Sequence, residues 1–117
     1  MLLRDVINTL DAELVFGEGL LETDIHAVCS SGLMSDVLAF VKDQALLITG
    51  LINPQVVRTA EIMDMKAILF VRGKSPTEDI LKLADEFSIA ILKTKETMYV
   101  AGGKLYSAGL NCVKTQE

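Results

Sequence analysis

The sequence contains no tryptophan and only six phenylalanine or tyrosine residues among 117. Its interior must therefore be aliphatic, built from Leu, Ile, Val, Ala and Met. Histidine occurs once, at His26, and cysteine twice, at Cys29 and Cys112. That is too few ligands, at the wrong spacing, for a His/Cys zinc site. Two cysteines so far apart are read as buried or idle thiols rather than a structural disulfide. Positive charge is also scarce. Eleven Lys and Arg against sixteen Asp and Glu leave a net charge of −5, which argues against nonspecific nucleic-acid binding, a property of clustered cations. A local anion pocket stays compatible with that balance. No apolar run approaches the roughly 18 residues of a membrane span, and the start, Met1-Leu2-Leu3-Arg4-Asp5, lacks a signal-peptide pattern. A cytoplasmic protein with no membrane or nucleic-acid partner is expected.

Half of the residues are apolar and 23% are charged, a globular rather than a disordered composition. A chain of this length is expected to form one domain, residues 1–117. Residues 2–10 read as a short amphipathic helix, with Leu3, Val6, Ile7 and Leu10 on one face. Residues 12–16 are a strand candidate closed by Gly17-Glu18-Gly19. Residues 25–30, "IHAVCS", alternate as a strand does, and 33–40 suit a helix.

From residue 45 onward the text is periodic. The apolar runs "ALLIT" (45–49), "AILFV" (67–71) and "IAIL" (89–92) begin 22 residues apart. Helical segments follow each of them, over 53–65, 75–87 and 96–110. Unbroken apolar strands alternating with amphipathic helices predict right-handed βαβ crossovers and a largely parallel sheet buried on both faces. The fold class expected is α/β, a three-layer sandwich with helices on both sides of the sheet. The two N-terminal strands are open to either direction.

Open parallel sheets gather ligands beyond the carboxyl ends of their strands. Four segments should lie there: Ser30-Ser31-Gly32, Thr49-Gly50-Leu51-Ile52-Asn53-Pro54, Arg72-Gly73-Lys74-Ser75-Pro76 and Lys93-Thr94-Lys95. They hold hydroxyls, glycines and cations in an otherwise acidic chain. Helix punctuation explains part of this. Asn53-Pro54 is an N-cap followed by proline, and Ser75-Pro76-Thr77-Glu78 adds a capping box. The other reading is a shared anion or nucleotide site made by Thr49, Gly50, Asn53, Arg72, Gly73 and Lys74. "RGKS" lacks the upstream glycine of a phosphate-binding G-x-x-x-x-G-K-[ST] loop, so nucleotide hydrolysis by that route is disfavoured.

Residues for catalysis are missing. Ser35-Asp36 has no histidine near it, and His26, read within a strand, suits a structural role. Asp36, Asp43, Glu61, Asp64, Asp79, Asp85 and Glu86 are scattered along helices, whereas general acid–base chemistry needs placed titratable groups. No catalytic residue, metal or cofactor is expected, and Arg58 reads as a surface arginine. In the last helix, adjacent Gly102 and Gly103 cost about 1 kcal/mol each relative to alanine. Three arrangements would account for them: close packing onto the sheet, close approach of a second subunit framed by Tyr99 and Tyr106, or a break in the helix. Met63, Met65 and Met98 read as core fillers.

The run from "SSGLMSDVLAF" through "ALLITGLINPQVVRTAEIMDMKAILFVRGKSPTEDILKLADEFSIAILKTKETMYVAGGKLYSAGL" resembles a DRTGG domain, a relative of the N-terminal domain of HPr kinase/phosphorylase. Such domains also occur in long phosphotransacetylases and between CBS modules of some inorganic pyrophosphatases. The resemblance covers about residues 3–110. It implies an α/β sandwich that self-associates and serves regulation or assembly. In the family, Asp-Arg follows the first buried strand and Thr-Gly-Gly the next. Here those places hold Thr49-Gly50-Leu51-Ile52-Asn53-Pro54 and Val71-Arg72-Gly73-Lys74. Asp-Arg is thus missing and Gly73 is what matches of Thr-Gly-Gly, which implies a divergent, stand-alone branch. The expected function is a non-catalytic regulatory or ligand-sensing module, a homodimer, with a nucleotide or other phosphorylated metabolite as ligand. The alternative is a protein-interaction module that docks on a separate enzyme without a small ligand.

Overall fold

A computed structural model of the protein describes residues 1–39 and 45–110. The elements in chain order are α1 (Leu3–Leu10), β1 (Glu13–Phe16), β2 (Ala27–Ser30), α2 (Met34–Val37), β3 (Ala45–Thr49), α3 (Pro54–Ile62), β4 (Ala67–Phe70), α4 (Glu78–Phe87), β5 (Ala90–Lys93) and α5 (Met98–Ser107). The strands form a five-stranded sheet in the order β1-β5-β4-β3-β2. β2, β3, β4 and β5 run parallel, with Ser30 beside Ile48, Thr49 beside Phe70, and Phe70 beside Lys93. β1 pairs antiparallel with β5. The direction the sequence left open is thus antiparallel for β1 and parallel for β2.

The unbroken apolar strands are explained by what covers them. Every residue of β3 and β4 is buried, as are the first three of β5. Leu46, Ile48, Leu69, Val71 and Leu92 point to one face, where α1 and α5 add Leu3, Val6, Leu10, Ala101 and Leu105. Leu47, Ile68, Phe70 and Ile91 point to the other, where α2, α3 and α4 add Met34, Val37, Val56, Val57, Ala60, Ile80 and Ala84. Successive residues of a strand point to opposite faces, so a strand between two helical layers has no solvent side and no polar alternation. The α/β three-layer sandwich expected from the sequence is the observed fold.

Several boundaries differ from expectation. α3 starts as read, with the Asn53 side chain accepting from the Gln55 N–H at 2.8 Å and Pro54 in the first turn. α4 does not begin at Ser75. Its cap is Thr77, whose hydroxyl accepts from the Ile80 N–H at 3.4 Å. Pro76 disfavours helical geometry at the residue before it, and the Ser75 hydroxyl instead receives the Lys93 ammonium at 3.3 Å. α5 is shorter than 96–110: the Glu96 carbonyl accepts from the Arg72 N–H at 2.8 Å, and Gly109 turns left-handed with φ +99°. α2 is the four-residue piece Met34–Val37 of the helix expected over 33–40. Residue 40 of that segment, Asp43 and Cys112 lie outside the described residues. His26 precedes β2 rather than lying in it, exposed, with its ring 2.9 Å from the Asp24 carboxylate. β2 does not alternate between core and solvent, since Val28 and Cys29 are buried on opposite faces.

α5 runs unbroken through Gly102 and Gly103, so the expected alternative of a helix break is corrected. Close packing within the chain is corrected at Gly103, where an added Cβ would meet nothing within 4 Å. At Gly102 it would lie 3.9 Å from the Ser30 hydroxyl, an ordinary contact.

Candidate cleft at the carboxyl edge of the sheet

The four parallel strands end side by side, so the segments that follow them share one edge. After β3, Thr49 is fully buried and its hydroxyl accepts from the Leu51 N–H at 3.2 Å. After β4 the chain turns back over Val71-Arg72-Gly73-Lys74, with the Lys74 N–H donating to the Val71 carbonyl at 3.4 Å. Both central residues are left-handed, Arg72 at φ +60° and Gly73 at φ +70°, the φ signature of a type I′ turn. Glycine adopts this region freely, but an arginine there is uncommon and costs energy.

The turn is clamped to the segment after β5. The Arg72 N–H donates to the Glu96 carbonyl and the Gly73 N–H to the Thr94 carbonyl, each at 2.8 Å. The arginine side chain lies against Gly50: a Cβ there would be 3.3 Å from Arg72 Nη2. The Lys74 ammonium donates to the Gly50 carbonyl at 2.8 Å. Two cations are therefore held around one glycine at the end of β3.

The first turn of α5 reaches the same edge, with the Thr97 hydroxyl accepting from the Val100 N–H at 3.3 Å. Between these parts lies an open cleft of about 470 Å³. Its walls come from Gly32 after β2, Gly50 and Leu51 after β3, Val71 and Arg72 after β4, and Thr97, Met98 and Tyr99 at the start of α5. Arg72 and Tyr99 are the ionisable side chains that line it. The cleft therefore sets a cation beside the start of a helix, a pairing that suits an anion, against walls that are otherwise apolar. On the other side of the turn, a second cleft of about 410 Å³ joins Gly73, Lys93, Lys95 and Lys104 to Asp11, Glu13 and Glu96. Charge there is largely balanced, with Lys104 3.7 Å from Glu96.

Of the residues read as a ligand site, the fold brings Gly50 and Arg72 into one cleft and joins Lys74 to Gly50. Gly73 faces the second cleft, Thr49 is buried beneath the edge, and Asn53 is taken up by capping α3. Tyr99, read as framing a subunit contact, lines the first cleft, while Tyr106 does not. Leu51, Val71, Thr97 and Met98 were not singled out as site residues. Met98 read as core filler, and it does pack against the core while also forming the cleft wall. Ser35 and Asp36 are exposed on α2 and do not line the cleft. Among the described residues, no group of three or more His, Cys, Asp or Glu is placed to hold a metal ion, and no helix is long and apolar enough to cross a membrane.

A mostly parallel α/β sandwich with an open cleft at the strand ends defines the structural class. The sequence matches the DRTGG domain family over residues 5–107, nearly the whole chain, and the chain belongs to that family. No curated protein matches it. Among solved structures it is similar to the CBS and DRTGG domains of the regulatory region of Clostridium perfringens pyrophosphatase, complexed with the activator diadenosine tetraphosphate. The TM-score is 0.69 at 16% identity, over 88% of this chain and 45% of that one. The likeness is therefore one of fold, and this chain spans less than half the length of that relative.

Proposed function

We propose that this chain is a non-catalytic regulatory module that senses a phosphorylated small molecule at the carboxyl edge of its sheet. The observation that carries the reading is the Arg72 turn. An arginine is kept in a left-handed conformation, and its side chain is laid over Gly50 with the Lys74 ammonium beside it. Backbone strain at a non-glycine residue points to function when the surrounding structure enforces it, and here two 2.8 Å hydrogen bonds do so. The similarity to a regulatory region that was complexed with a nucleotide activator supports the same direction. The test is thermal unfolding against nucleotides and phosphorylated metabolites, because a ligand of the native state raises the midpoint by mass action. One class should raise it in the wild type and leave the Arg72→Ala/Lys74→Ala variant unmoved. An equal rise in that variant would place the ligand elsewhere.

A second reading, a dimerisation or protein-docking module, is favoured by α5. Tyr99 is 88% and Tyr106 72% exposed, and Gly103 lies between them with open space before it. A ten-residue helix with one charged residue has an outer face suited to another surface. Light scattering should then report a dimer that Gly103→Leu converts to a folded monomer. A wild-type monomer would remove the self-association part of this reading.

A further inference from the structure

We infer that the ligand of the Arg72 cleft carries a flat ring as well as an anion, so that the site takes a nucleoside phosphate rather than a bare phosphate or a sugar phosphate. The inference rests on the anion-binding reading and adds the other half of the ligand. The cleft is two-sided. At the Gly50 end stand Arg72 and, on the Gly50 carbonyl, the Lys74 ammonium. The rest of the wall is Leu51, Val71, Met98 and Tyr99. Leu51 and Tyr99 are among the exposed large hydrophobic side chains, at 37% and 88%.

A sugar phosphate would use only the charged end of the cleft. The lining contains no Asp, Glu, Asn or Gln side chain, and the Thr97 hydroxyl already accepts from the Val100 N–H. The cleft is open, so sugar hydroxyls, whether of a sugar phosphate or of a nucleotide's ribose, stay in water and gain nothing from the wall. A heterocyclic base has the opposite balance: its flat face needs apolar and aromatic contact, and such stacking tolerates different bases. Gly32 leaves room for a flat group, since a Cβ there would meet nothing within 4 Å, whereas the space over Gly50 is taken by the Arg72 guanidinium. The volume of about 470 Å³ falls within the range of small-molecule sites.

The experiment is isothermal titration of the purified chain with AMP, GMP, CMP and UMP, with ribose 5-phosphate, with inorganic phosphate and with the parent nucleosides. At least one nucleoside monophosphate should bind, with ribose 5-phosphate at least tenfold weaker. Tyr99→Ala should weaken the nucleotide about tenfold, the scale of one base–aromatic stack, while ribose 5-phosphate is unaffected. The melting temperature of the free variant should match the wild type, because Tyr99 is exposed. Equal affinity for ribose 5-phosphate and every nucleotide, or unchanged nucleotide affinity in Tyr99→Ala, would overturn the ring assignment and leave the anion site standing. A nucleoside binding as tightly as its phosphate, or no binding by any phosphate, would overturn the anion reading itself.

Discussion

Replacing Arg72 by alanine and by glycine separates its two roles. Both variants lose the guanidinium, so both should lose the ligand. They differ in the backbone, because Arg72 sits at φ +60°. A side-chain-bearing residue in the left-handed region costs about 1–2 kcal/mol. Alanine keeps that cost and glycine removes it, while glycine gives back roughly 0.5–1 kcal/mol through the larger entropy of its unfolded chain. Arg72→Gly should therefore be more stable than Arg72→Ala by about 0.5–1 kcal/mol, a few degrees in melting temperature for a domain of this size. The mirror experiment is Gly73→Ala. An added Cβ there would meet nothing within 4 Å, so its cost of about 1 kcal/mol would be conformational alone. Urea unfolding of the three variants measures both differences. An Arg72→Gly protein no more stable than Arg72→Ala would show that the turn stores no strain, and the argument from strain to function would fail.

Three further outcomes follow from the same geometry. Gly17→Ala should cost about 2–4 kcal/mol, since φ is +111° and a Cβ would stand 3.0 Å from Ala90 Cα; a thermal midpoint within two degrees of wild type, on the order of 0.3 kcal/mol, would contradict this. Thr77→Ala should cost about 1 kcal/mol and Ser75→Ala much less, because Thr77 caps α4 and Ser75 does not; the reverse order in chemical denaturation would restore the capping box read from sequence. The hydrogen bond from His26, and then that from the N-terminal ammonium, hold the Asp24 carboxyl below the usual carboxylate range. A depressed folded value contributes stability above the unfolded pKa that is lost as pH falls through the folded one. The stability gap between wild type and Asp24→Asn should thus close in acid, and a gap constant with pH would refute the coupling.

The architecture was legible because burial leaves a direct trace in residue type. β3, β4 and β5 have no polar alternation, and they are the strands covered on both sides. The cap at Asn53 was legible too, since an N-cap needs only neighbours in sequence. The α4 cap was misplaced because Ser75 and Thr77 are equally good candidates locally, and the Lys93 contact that claims Ser75 comes from eighteen residues away. The cleft was half legible. Parallel strands bring their carboxyl ends to one edge, so Gly50 and Arg72 could be placed there from the alternation of strands and helices, with strand order still open. Residue type says nothing about Thr49 being buried rather than presented to a ligand. Nor does it reveal that the first turn of α5 returns to the strand ends, which makes Met98 and Tyr99 part of the wall. That depends on α5 packing back over β3 and β2. The left-handed Arg72 is equally hidden, being imposed by the hydrogen bonds that Arg72 and Gly73 make to the segment after β5.

The central claim is that the cleft beside Arg72 is a binding site for a phosphorylated ligand. Isothermal titration of wild type and the Arg72→Ala/Lys74→Ala variant with the same phosphorylated compounds tests it most directly. Saturable one-to-one binding of one compound class to the wild type is expected, with its loss in a variant that stays folded. Equal affinity in the two proteins, or no binding by any compound, would contradict it.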